Sequence, residues 1–286
     1  MRHREQWVSV MSRVLFVAGT FAILTCEPVT RPNSTGAPGG ADAGFADGSS
    51  STDVAEAATS VAAVNHALQF ASAYVRVPDN NLLDLTSTWT LEAWVKPVDA
   101  STGADQDIIS KWALAFTASY ILQIDASGKL RLVTNNGVTQ SIRLSNGTLG
   151  DNTWHHVAAT FSHGTVKLYL NGALDKTVTG VLTPLVSTEP VAFGREGSFP
   201  GGTFNGSIDE IRIWKVVRSK SQIARSLTKR LLGSETGLVG YWRFDEGTGQ
   251  LATDATGHGL NGRLGETTGV DAADPTWITN TVAPVY

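Results

Sequence analysis

The hydrophobic pattern of the chain changes character near residue 65. Downstream, apolar and polar residues alternate in short segments, the period expected of strands with one buried face. Thr90-Leu91-Glu92-Ala93-Trp94-Val95-Lys96 and Thr165-Val166-Lys167-Leu168-Tyr169-Leu170 show this period clearly. Further strands are expected over 68–77, 106–111, 119–125, 129–134, 138–144, 154–162, 189–194, 207–214, 237–244 and 275–279. Ser127-Gly128, Asn136-Gly137, Asn146-Gly147, His163-Gly164 and Asn171-Gly172 supply turns between them. Only 219–232 has helical spacing, with Ile223, Leu227, Leu231 and Leu232 on one stripe and Gly233 as the stop. Many short strands at roughly even spacing predict an all-β sandwich with one short helix towards its C-terminal third.

Upstream the pattern is different. Arg2, Arg4 and Arg13 precede an uncharged stretch from Val14 to Thr25 that ends at Cys26. The stretch is shorter than the roughly 20 residues a membrane-spanning helix needs, and matches the build of a secretory signal over residues 1–25. Cys26 is the only cysteine, so no internal disulfide is expected. Its position resembles the lipid acceptor of bacterial lipoproteins, although Thr25 stands where a smaller residue is usual. That resemblance implies an acylated, membrane-anchored Cys26 on the cell envelope; without acylation the protein would be secreted. Residues 26–64 are rich in Ala, Gly, Ser and Thr, a composition expected to form a disordered linker. As a flexible coil it would span about 35 Å, enough to hold a domain at 65–286 clear of a membrane surface.

Composition adds one exclusion. A net charge of −4 comes with basic residues scattered along the chain, so no nucleic-acid footprint is present.

Five strings, taken in order, carry a family resemblance. They are Thr90–Pro97, Asn152–Ala158 (Asn-Thr-Trp-His-His-Val-Ala), Leu168–Gly172, Phe204–Trp214 and Gly237–Glu246, with the helical stretch around Ser221 and Ile223 between the last two. Together they resemble the LamG-like jellyroll domains of the concanavalin A-like lectin/glucanase superfamily, over residues 66 to about 279. The resemblance implies a two-sheet antiparallel jellyroll in a family whose members bind carbohydrate, protein or calcium. Fold alone does not choose among these.

Candidate sites are sparse. His155 and His156, adjacent on a strand, point to opposite faces and cannot grip one metal together. Alternation places Asp209 on the face of Ile211 and Ile213, where a buried carboxylate needs a partner. Either calcium, as the resemblance allows, or backbone amides could fill that role. Trp94, Trp154, Trp214 and Trp242 fall in strand signatures and are expected to pack in the core. Trp112, Phe116, Phe199 and Phe204 sit in or beside loops and are candidate stacking surfaces for a sugar. The stretches Val98–Tyr120 and Gly194–Phe204 are therefore the expected binding loops.

Catalysis finds little support. Glycoside hydrolysis of the retaining kind needs two carboxylates about 5–5.5 Å apart, whereas Asp209-Glu210 and Asp245-Glu246 are neighbours expected to face opposite ways. Gly247-Thr248-Gly249-Gln250-Leu251-Ala252 matches a dinucleotide fingerprint, but glycines at 257 and 259 occupy the place of the required helix. The expected function is a non-catalytic, envelope-displayed recognition module for a glycan. A protein–protein or structural envelope component is the alternative, and a glycoside hydrolase or polysaccharide lyase a third reading.

Overall fold

A computed structural model of the chain describes residues 64–113, 117–195 and 202–279. The expected signal segment 1–25, Cys26, the expected linker up to residue 63, Phe116 and Phe199 lie outside the described residues. Along the chain run β1 (His66–Ala71), β2 (Val75–Val77), β3 (Thr88–Pro97), β4 (Gln106–Lys111), β5 (Tyr120–Ile124) and β6 (Lys129–Asn135). Then follow β7 (Gln140–Thr148), β8 (His155–Ser162), β9 (Thr165–Leu170), β10 (Ala173–Val178), β11 (Val191–Phe193) and β12 (Asn205–Trp214). Helix α1 (Lys220–Ser226), β13 (Leu238–Trp242), β14 (Leu251–Ala252), β15 (Gly262–Leu264) and β16 (Thr276–Thr279) complete the chain.

The strands form two antiparallel sheets packed as a sandwich. The first runs β10-β9-β8-β3-β12-β1-β16, with β13 also paired to β12; the second runs β14-β15-β2-β11-β4-β5-β6-β7. Leu91, Ala93, Val95, Val157, Ala159, Ile211 and Ile213 of the first sheet face Val75, Val77, Leu122, Ile124, Leu132 and Phe193 of the second. Trp89 stacks on Phe161 at 5.2 Å, and Trp242 meets Phe193 edge-on at 4.8 Å. Each such fully buried apolar side chain contributes about 1.5–3 kcal/mol.

Three features depart from the period-based reading. The expected strand 68–77 is broken at Ser72, which adopts φ 58. Its first half joins the first sheet as β1 and its second half joins the other as β2. Edge strand β10 (Ala-Leu-Asp-Lys-Thr-Val) has no buried residue, so it carries no apolar alternation to read. The helix expected over 219–232 ends at Ser226. Its start follows local rules: Ser219 Oγ accepts from the Gln222 amide while Gln222 Oε1 accepts from the Ser219 amide.

Its early end has a tertiary cause. The main-chain oxygens of Ser226 and Lys229 accept from Arg212 (2.9 and 2.8 Å), and that of Leu227 accepts from Trp94 Nε1 (2.9 Å). These donors stand on the outer face of the first sheet, and the chain unwinds to meet them. Leu232, on the expected apolar stripe, is left 83% exposed.

Under α1 that outer face is closed over a charged network. Glu92 of β3, fully buried, lies 3.3 Å from His156 Nε2 and 3.0 Å from Arg218 Nε. Its register partner Arg212 pairs with Glu210 at 2.5 Å, and the Tyr241 hydroxyl donates to the same carboxylate. Arg218 lies 3.9 Å over the Trp214 ring, while Ile223 of α1 packs on Ala158 and Tyr169. Trp94 thus lies on the outer face against the chain after the helix, Trp214 packs there with Leu238, Tyr241 and Leu231, Trp242 packs in the main core, and Trp154 stays half-buried.

Burial alone would raise the Glu92 carboxyl, but the hydrogen bond and charge of His156, with the charges of Arg212 and Arg218, hold it below its ordinary range. A carboxyl depressed on folding contributes stability that is complete above its unfolded pKa of about 4.3. That contribution is lost as pH falls through the folded value. Glu92→Gln leaves Arg218 without this counter-charge and is expected to cost about 3–5 kcal/mol at neutral pH. It is also expected to flatten the acid loss of stability below about pH 4.5, read by urea unfolding across a pH series.

Candidate functional site

The two sheets meet at a loop end where β1, β3 and β12 approach β4. The loop after β3 is pinned there by main-chain and side-chain bonds. The Val98 amide donates to the Asn205 carbonyl (2.9 Å), and the Ala100 amide to Asp151 Oδ1 (2.7 Å). Gln106 at the start of β4 joins both loops. Its Nε2 donates to the Asp99 carbonyl at 2.8 Å, and its Oε1 accepts from the Asn205 amide at 3.2 Å. The Asp107 amide donates to the Gly202 carbonyl at 2.6 Å. Gly202 adopts φ +58, and a Cβ there would stand 2.5 Å from the Asp107 carboxylate. Glycine is what lets this loop lie against β4.

Between these loops opens a cleft of about 440 Å³, within the range of small-ligand sites. Its polar lining comes from Ser72, Thr102, Asp105, Gln106, Thr203 and Asn205. Asp105 is oriented by Arg131, whose Nη1 donates to it at 2.7 Å. Ser72, at the left-handed break between β1 and β2, lines the opening, so the backbone strain of that crossing lies in the wall of the site. The lining is hydroxyl, amide and one carboxylate, an array suited to a ligand rich in hydroxyl groups. The cleft falls between the two loops expected from sequence.

The residues named for those loops fare differently. Trp112 is 7% exposed and packs with Ala118, Ile121 and Val133, so its ring has little face to offer a ligand. Phe204 is fully buried, edge-on to Phe70 at 6.4 Å. Phe116 and Phe199 lie outside the described residues. Among the described aromatics only Trp154 and Trp277 are not buried.

Asp209 requires a correction. Asp209 pairs with Trp94 and Arg212 with Glu92, so two residues of β12 oppose the single Ala93. Glu210, the first of them, has φ 52. This β-bulge resets the alternation: Ile208 and Ile211 face the core, while Asp209 and Glu210 both turn to the outer face with Trp94 and Arg212. Asp209 is fully buried there, and its Oδ1 accepts the Glu210 amide at 2.8 Å. The two carboxylates therefore share a face, contrary to strict alternation, but both are sealed from solvent and Glu210 is committed to Arg212 and Tyr241.

His155 and His156 point to opposite sides as expected. His156 enters the Glu92 network, and His155 Nε2 accepts the Gly150 amide at 2.9 Å. Among the described residues no three His, Cys, Asp or Glu side chains converge on a metal-sized site.

A family model described as the concanavalin A-like lectin/glucanases superfamily matches residues 70–224. That is shorter than the 66–279 suggested by the motifs, yet β13 to β16 continue the same two sheets beyond it. A curated relative, pappalysin-1 of Mus musculus, is 35% identical over 81 residues, 27% of this chain and 5% of its own length. The chain thus spans a small part of that relative. A candidate carbohydrate binding protein from Bacteroides ovatus ATCC 8483 superposes with a TM-score of 0.61 at 21% identity, covering 78% of this chain and 62% of that one. A heptameric SAP-like pentraxin from Limulus polyphemus gives a TM-score of 0.45 at 16% identity, covering 58% of this chain and 83% of that one.

The geometry at Gly202 makes the cleft wall sensitive to one methyl group. Gly202→Ala is expected to cost about 1–3 kcal/mol through its left-handed backbone and the clash with Asp107. Thermal unfolding would register this as a Tm fall of about 2–4 °C per kcal/mol.

Proposed function

The chain belongs to the concanavalin A-like lectin/glucanases superfamily, and from that premise we propose that it is a non-catalytic recognition module that binds carbohydrate in the loop-end cleft. The observation that carries the proposal is the lining of that cleft. Ser72, Thr102, Gln106, Thr203 and Asn205 bring hydroxyl and amide groups to one opening, on loops held by main-chain bonds to rigid strands. Asp105, oriented by Arg131, adds a charged acceptor. Sugar hydroxyls are recognised by such convergent donors and acceptors, and each hydrogen bond to a charged group is worth about 1.5–3 kcal/mol.

A binding role also fits the placement of the acids. Asp105 is the one carboxylate among the residues lining the cleft. Glycoside hydrolysis requires two, about 5–5.5 or 6.5–9.5 Å apart according to stereochemistry. Asp209 and Glu210, the neighbouring acids closest to a catalytic string, are buried on the outer face of the first sheet, outside the cleft. Export through residues 1–25, acylation of Cys26 and display on the 27–64 linker complete the proposal as an envelope-anchored binder.

A glycan-array screen of the protein, run with calcium and again with a chelator, tests the reading. Retained glycans are expected to lose at least tenfold in affinity in Asn205→Ala and Thr203→Ala. Binding that disappears with the chelator would assign a calcium requirement to the protein, and binding that survives it would remove calcium from the reading. A blank array under both conditions, from protein that melts cooperatively, would sink the glycan reading in favour of a protein partner. Labelled palmitate incorporated by the native chain and not by Cys26→Ala is the expected result for the anchor.

A further inference from the structure

The second sheet carries a feature that the loop-end cleft does not use. At its β15–β2 edge, Arg263 and Arg76 are direct register partners. Their strand neighbours Val75, Val77 and Leu264 belong to the core, so both arginines project from the outer face. Like charges directly opposite each other on a sheet are destabilising. Among the described residues neither arginine forms an ion pair. Arg263 donates from Nη2 to the Glu266 carbonyl, which fixes its direction without neutralising it.

The surrounding acids are engaged elsewhere. The Glu266 carboxylate accepts from the Tyr74 hydroxyl, and a third cation, Arg195, lies 3.4 Å over the Tyr74 ring. Asp79, itself in the wall of the cleft that both arginines line, takes the buried Lys111 Nζ at 2.5 Å, which offsets its charge. Both arginines line a cleft of about 540 Å³. Asn261 and Thr188 add hydrogen-bonding groups to it, and Pro190 and Leu251 add an apolar wall. It shares no lining residue with the loop-end cleft. Two guanidinium groups on one wall suit a planar carboxylate or a sulfate, which arginine binds through paired N–H groups. Leu251, the register partner of Arg263 on β14, and Pro190 flank the arginines and suit the C–H face of a pyranose.

We propose that this cleft is a second saccharide site, selective for acidic sugars, in which Arg76 and Arg263 hold the carboxylate of a uronate or the sulfate of a sulfated sugar. Its ligand class rests on the reading of the chain as a carbohydrate binder; its charge selectivity rests on the arginine pair.

Calorimetric titration of the full chain with four probes tests it: trigalacturonate, its methyl ester, a carrageenan-derived sulfated tetrasaccharide, and that tetrasaccharide desulfated. At least one acidic probe is expected to bind tenfold or more tighter than its neutral counterpart, with the advantage shrinking at high salt. The preferred pair identifies carboxylate or sulfate as the anion. Arg76→Gln and Arg263→Gln should each remove most of the advantage, and Arg76→Lys should restore part of it. Equal affinity for the charged and neutral members of both pairs overturns the proposal. So does charge selectivity that survives in the double glutamine variant with a native circular dichroism spectrum. Neutral glycans bound while both acidic probes are ignored would overturn this site alone. None of the four probes bound would overturn this site, and the parent reading falls with it only where the glycan array is blank as well.

Discussion

Glu92 occupies the middle of a ten-residue strand with its carboxylate turned away from the main core and sealed from water. An ionised carboxylate in that position is tolerable only with cations and donors packed around it. Much of the first sheet's outer face follows from this requirement. Arg218 reaches it from the chain between β12 and α1, His156 from β8, and Arg212 stands opposite on β12. To hold the arginines, the chain after α1 surrenders helical hydrogen bonds and offers carbonyls instead. Thr90 completes the lid, donating to the Val216 carbonyl and accepting the Arg218 amide. A network of this kind adds little net stability over an apolar replacement. Its effect is to fix one register and one position for the covering segment, because any other leaves a buried charge unpaired.

The consequence is a division of labour between the ends and faces of the sandwich. With one outer face closed by α1 and the interior filled by aromatic and aliphatic packing, the surfaces left to carry recognition are the loop ends and the second sheet's edge. The loop-end cleft depends on that rigidity. Its walls are held by Gln106 bridging two loops and by the close approach at Gly202, which would drift if β4 and β12 were free to shift. Strain at Ser72 is held in place because β1 and β2 are each committed to a different sheet.

The candidate site was legible in outline and not in its residues. The loops 98–120 and 194–204 could be chosen from sequence because Trp112, Phe116, Phe199 and Phe204 lie in or beside breaks between expected strands. Which side chains face the opening could not. Trp112 and Phe204 were attractive as loop aromatics, yet both are buried, since a strand end or a following turn covers a ring as well as a strand does. Thr203 and Asn205, which line the cleft, belong to no motif that singles them out. The arginine pair on β2 and β15 lies 187 positions apart in sequence, and only the pairing of those strands makes it a pair.

Local sequence by itself determined what depends on neighbours along the chain. Period-two alternation located most strands, β4 and β9 to the residue; Ser127-Gly128 and Asn171-Gly172 located turns, whereas Asn146-Gly147, expected as a turn, lies inside β7; Ser219 with Gln222 determined where the helix begins. Export through residues 1–25, acylation of Cys26 and the linker are proposals that rest on sequence alone. Tertiary structure decided whatever depends on distant partners. It divided 68–77 between two sheets, stopped the helix at Ser226, and placed a bulge at Glu210 that turns Asp209 to the outer face. In each case a partner distant in sequence overrides the local pattern. Alternation assumes an unbroken register, but buried charges and the change of partner from β1 to β13 along β12 set the register from outside the segment. A local pattern has no access to either.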